Sequence, residues 1–135
     1  MVKIPSSKQG YTLIELMIVL ALLAIVTAIA ISSYTNQGIR GNRTEALDEL
    51  LRQAAFQQRQ FTVNNQYSEV DTFSTANGFY QIQTTVNPGG QTFSISATPQ
   101  TGQDGDTCGT LTLTSIGQRT SSGGDSVRCW AGRNG

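Results

Sequence analysis

The sequence predicts an α+β chain: a long N-terminal helix, membrane-spanning in its first half and amphipathic in its second, packed on a small antiparallel sheet of three or four strands. Three observations carry this. Leu16–Ile31 reads LMIVLALLAIVTAIAI, with no charge and only Thr27 polar. From Thr44 to Phe61 apolar residues recur at helical spacing. After Gly78 the pattern changes to alternation, the period of a strand.

The first element is the apolar run. Extended back to Tyr11 it contains one carboxylate, Glu15. At about 1.5 Å per residue, a helix of this length spans a bilayer core of about 30 Å. The rest of the chain is too polar to wrap a helix that is apolar all round. The preceding segment, MVKIPSSKQG, carries Lys3 and Lys8. It resembles a secretory signal peptide in charge, but no small-x-small site cleanly closes the run and Glu15 lies inside it.

Next comes NQGIRGN, residues 36–42, where Gly38 and Gly41 each weaken a helix by about 1 kcal/mol relative to Ala. The amphipathic half follows. Leu47, Leu50, Leu51, Ala54, Ala55 and Phe61 form its apolar face. Glu45, Asp48, Glu49, Arg52, Gln57 and Arg59 lie mostly opposite, with Asp48 and Arg52 spaced as an i,i+4 pair. Residues 62–78 show no period and read as a loop ending in the Asn77-Gly78 turn. Phe79–Val86 and Gln91–Thr98 alternate as two strands around an NPGG hairpin turn. Leu111 and Leu113 mark a third strand, and Val127–Ala131 is the place for a fourth.

Composition excludes several functions. Nine Lys+Arg balance nine Asp+Glu, so this is no strongly basic nucleic-acid binder. Without His there is no Ser-His-Asp or Cys-His triad and no His-containing zinc site. The two cysteines, Cys108 and Cys129, are too few for a four-thiolate metal site. As a pair in a small extracytoplasmic domain they are expected to form a disulfide. That puts the C-terminal part outside the cytoplasm; charge counting gives a tie, Lys3 and Lys8 before the span against Arg40 and Arg43 after it. Asp104-Gly-Asp106 fails the calcium-loop pattern and reads as a solvated turn. Asn42-Arg43-Thr44 fits the glycosylation triplet, a short motif common by chance. Trp130 beside Cys129 reads as core packing, and the scattered arginines argue against direct nucleic-acid binding. No metal, cofactor or catalytic constellation is expected.

The segment KQGYTLIEL, Lys8–Leu16, resembles the type IV prepilin signature: a basic leader ending in Gly, an aromatic residue, Thr, two aliphatics, then Glu as the fifth residue after the Gly. The match continues through the apolar run to Tyr34. The chain is thus similar to type IV pilins, and the resemblance implies a pilin fold and specific processing. A prepilin peptidase would cut between Gly10 and Tyr11 and methylate the new α-amino group of Tyr11. The organisation would be a leader at 1–10, a transmembrane or filament-core helix at 11–34, and an amphipathic helix with a periplasmic head and disulfide loop at 35–135. Glu15 would pair with the N-terminal amine of a neighbouring subunit during assembly; the alternative is a carboxylate that snorkels to the head groups. Tyr11 stands where family members usually have Phe, and Ser32 where many have Pro, which moves the expected flexible points to Gly38 and Gly41.

A narrower resemblance, carried by CGTLTL…GQRT…CW from Cys108 to Trp130 and by RTEALDELL from Arg43, is to PilE-like minor pilins. It implies a structural subunit of a type IV pilus that primes or supports assembly. Its partners would be a major pilin, other minor pilins, a tip adhesin, the prepilin peptidase, the inner-membrane assembly platform and inner-membrane lipid. A major pilin and a type II secretion pseudopilin are the alternatives within the class; a membrane-anchored enzyme or binding module is the one outside it.

Overall fold

The computed structural model describes residues 10–133. The leader expected at 1–10 therefore lies outside the described residues except for Gly10. The chain divides into two compact units between Thr35 and Asn36.

A single helix, α1, runs Leu13–Asn64. Thr12 caps its start: the Thr12 hydroxyl accepts from the Glu15 N–H at 3.2 Å, and the Thr12 carbonyl accepts from Leu16 N–H. Thr-x-x-Glu is a capping-box sequence, so Glu15 sits in the first turn, where the helix dipole favours a negative charge. Within the first unit, Leu13 to Ile31 present their large apolar side chains to the outside, each about half exposed or more. The helix continues through Gly38 and Gly41. It also outruns its expected end by three residues, taking Thr62, Val63 and Asn64 from the segment expected to be loop. Thr62 returns its hydroxyl to the Gln58 carbonyl, and Asn65 follows with φ 56°, the left-handed turn that stops a helix.

The second unit lays the amphipathic half of α1 on a five-stranded antiparallel sheet in sequential order: β1 (Phe73–Ser74), β2 (Tyr80–Val86), β3 (Phe93–Pro99), β4 (Leu111–Thr114) and β5 (Arg119–Ser121). The α+β class is as the sequence predicts. The strands beyond the expected three are β1 and β5, two and three residues long, too short to show a period. The core is Ala46, Leu47 and Leu50 of α1 against Tyr80, Ile82, Phe93, Ile95, Ala97, Leu111 and Leu113. Leu51 and Ala55 fall outside this face and are exposed, because the contact stripe runs 43–46–47–50–54. Phe61 packs instead on Tyr67, with ring centroids 4.7 Å apart. Arg52 pairs with Glu49 at 2.8 Å, not with Asp48.

Strand β1 ends where its register meets a charge. Phe73 pairs with Ile82. Two residues further, Asp71 would stand opposite Thr84 on the buried face; residues 69–72 are not paired there and line a shallow cleft with Gln83, Thr84 and Thr85. The fourth strand expected at Val127–Ala131 is a short helix, α2 (Ser126–Trp130). Asp125 caps it by accepting the Arg128 N–H at 3.0 Å, which fixes a turn where alternation alone suggested extension.

Candidate functional site

Two regions bring chemistry-bearing residues together. The first is the start of α1. Gly10 and Tyr11 precede the helix and are exposed; Tyr11 is 86% exposed. Tyr11, Glu15, Leu16 and Val19 line one shallow groove on the helix surface. Among the described residues no cation pairs with Glu15. A carboxylate beside an aliphatic surface, with no counter-charge among the described residues, suits a partner that brings both apolar contact and a positive group.

The second region centres on a buried ion pair that the sequence did not disclose. Arg43 of α1 and Asp106 are both fully shielded in their side chains. Arg43 Nε donates to Asp106 Oδ2 at 2.9 Å, a second guanidinium N–H reaches Asp106 Oδ1, and a third donates to the Arg133 carbonyl. The Tyr80 hydroxyl also donates to Asp106, and the Cys108 N–H does so at 2.9 Å. Burial works to raise the Asp106 pKa, but the hydrogen bonds from Arg43, Tyr80 and Cys108 outweigh it and hold the carboxyl below its ordinary value. Burial, reinforced by the bond to Asp106, pushes the Tyr80 hydroxyl well above its ordinary pKa. Asp106 is thus no solvated turn residue. A signal for it existed: Arg43 lies four residues before Leu47 and seven before Leu50, on the face that packs inward.

Gln103 completes the region. Fully buried, it donates from Nε2 to the Ile39 carbonyl at 2.8 Å and accepts from Asn42 Nδ2 at 3.0 Å. Asn42 is the acceptor residue of the glycosylation triplet. Its amide nitrogen is committed to Gln103, and its carbonyl accepts from Asn77.

Beside this network Cys108 and Cys129 form the expected disulfide, with an S–S distance of 2.01 Å. Within the loop it closes, Arg119 of β5 lies over the Trp130 ring, 5.3 Å from its centroid, while the indole N–H donates to the Thr120 carbonyl at 3.0 Å. Trp130 is partly buried against the core, as expected, with Arg119 on its outer side. Helix α2 packs on β5 and carries the exposed Arg128. Among the described residues no group of three potential metal ligands is assembled.

Comparison with known proteins agrees with this architecture. Residues 32–112, more than half of the chain, match the family model described as type IV minor pilin ComP, DNA uptake sequence receptor. Residues 5–31 match the prokaryotic N-terminal methylation motif. Among solved structures, a type IV pilin from Shewanella oneidensis is similar at 27% identity and a TM-score of 0.56, over 62% of this chain and 92% of the pilin.

Proposed function

The chain belongs to the ComP family of type IV minor pilins, and from that footing we propose how its two ends serve the filament. It is a membrane-anchored structural subunit that ends in a pilus beside other pilin subunits. In the proposed cycle the leader is removed after Gly10, Tyr11 becomes the methylated N-terminus, and residues 11–34 hold the chain in the inner membrane with residues 35–135 in the periplasm. Glu15 then meets the Tyr11 amine of a neighbour as the helix leaves lipid. The subunit primes or supports assembly among the more abundant pilins.

One observation carries this reading: Leu13 to Ile31 expose apolar side chains along their whole length, directly after a capped turn that holds one carboxylate. Such a surface needs lipid first and neighbouring helices afterwards. The experiment is mass spectrometry of filaments sheared from intact cells. A methylated Tyr11 terminus at trace level beside a dominant pilin is expected. The same terminus as the dominant species overturns the minor role, and an intact leader overturns the processing.

A second reading is favoured by the Arg119–Trp130 pair: direct contact with DNA, the ligand that the description of the matched family names. This runs against the expectation drawn from scattered arginines, since the fold sets Arg119 on the face of a partly exposed aromatic ring. Binding of duplex DNA by the detergent-solubilised chain, weakened by Arg119→Ala with Arg128→Ala and falling with salt, is the expected result. Equal retention by the double variant sinks it.

A further inference from the structure

We propose that the open edge of β2, Gln83 to Val86, is a docking site for an extended cationic segment of a partner polypeptide, which adds to the sheet as one more strand. Strand β2 is seven residues long, but β1 covers it only at Gln81 and Ile82. The bonds at its two ends show where its backbone groups point. The Phe79 carbonyl accepts from the Gln100 N–H, and the Asn87 N–H donates to the Thr92 carbonyl, so the odd-numbered residues face β3. The N–H and C=O groups of Thr84 and Val86 therefore face the other side. Among the described residues no backbone group meets them there.

The opposite edge of the sheet is covered. Helix α2 packs on β5, and the Ser126 hydroxyl accepts the Ser121 N–H at 3.0 Å. Residues 83–86, QTTV, have no such cover and none of the proline or lysine that blunts an exposed edge. Thr84 gives a second sign of a missing neighbour. It is only 7% exposed, and its hydroxyl has no hydrogen-bond partner among the described residues. A hydroxyl-bearing residue directly opposite would satisfy it, as in Thr–Thr cross-strand pairs.

The cleft beside this edge sets the charge of the partner. It encloses about 340 Å³ and is lined by Glu69 and Asp71 together with Gln83, Thr84 and Thr85. Both carboxylates are exposed, and neither has an ion pair among the described residues. On an added strand, a hydroxyl residue facing Thr84 puts its two neighbours on the outer face. Those neighbours are two positions apart, the same spacing as Glu69 and Asp71. The fitting segment is therefore cation–Thr–cation: its backbone supplies the strand hydrogen bonds and its charges supply the specificity.

The test is amide hydrogen exchange, read by NMR on the full chain in detergent micelles, with acetyl-Arg-Val-Arg-Thr-Arg-amide as the probe. Without peptide, the Thr84 amide should exchange faster than those of Gln83 and Thr85. Peptide at about 10 mM fills a site of about 1 mM Kd to about nine-tenths, and should slow Thr84 and Val86 about tenfold. The same peptide N-methylated at its threonine keeps the charge but loses a strand hydrogen bond, and should protect neither amide. Glu69→Lys with Asp71→Lys, both surface changes, should abolish protection by the cationic peptide. Unchanged exchange with the unmodified peptide overturns the proposal, as does protection that survives the double charge reversal. Equal protection by the N-methylated peptide also overturns it, reducing the site to charge attraction alone.

Discussion

Arg43 Nε meets Asp106 Oδ2 at 2.9 Å across 63 residues of sequence, and both side chains are fully buried. The same guanidinium reaches the Arg133 carbonyl, and the same carboxylate accepts the Cys108 N–H. One ion pair therefore ties α1 to segments next to both half-cystines.

Arg43→Met leaves the Asp106 charge buried without its partner. It is expected to lower stability by about 3–5 kcal/mol, read from urea unfolding of the chain in detergent. Arg43→Met with Asp106→Leu should recover much of that loss, since two apolar groups leave no orphan charge. A single variant as stable as the parent would show that the pair contributes little.

The network sets the pH range of the head. Asp106 binds its proton less readily when folded, so its contribution is complete above the unfolded carboxyl pKa of about 4 and is lost as pH falls below that. Tyr80 holds its proton more tightly when folded, so its contribution is complete below about pH 10 and is lost as pH rises further. The thermal midpoint should form a plateau between those limits. Asp106→Asn should flatten the acid arm and Tyr80→Phe the alkaline arm.

Cys108→Ser with Cys129→Ser opens a loop with a sequence separation of 21. The expected loss is about 3 kcal/mol. The thermal midpoint of the parent under strong reductant should drop to that of the double variant.

Asp71→Val removes the charge that the β1–β2 register would place opposite Thr84. The strand should lengthen along β2, with slower exchange of the amides of residues 70–72 and a stability gain of up to about 1 kcal/mol. Unchanged exchange would mean that something other than Asp71 holds residues 69–72 away from the sheet.

Long-period features were legible in the sequence, and long-range pairings were not. The apolar run, the amphipathic half of α1, the β2–β3 hairpin and the disulfide each announce themselves through spacing or residue type. The two-residue β1 and three-residue β5 fall below any period. Helix α2 depends on Asp125 as a cap within a segment whose alternation suggested a strand. The tie between Arg43 and Asp106 joins two positions that look unremarkable separately, one in a charged-looking helix and one in a Gly-Asp turn. The Thr12–Glu15 cap shows the reverse: a motif legible as a processing signature is also what starts the helix.

The bond from Arg43 to the Arg133 carbonyl spans 90 residues. At a synthesis rate of about 5–20 residues per second, Arg43 emerges roughly 5–18 s before its last acceptor exists. During that interval the guanidinium has no completed pocket, and the thiol of Cys108 is made before that of Cys129. The head is therefore a late-closing structure, vulnerable to wrong pairing while its chain is still arriving and secured only when the final turn docks.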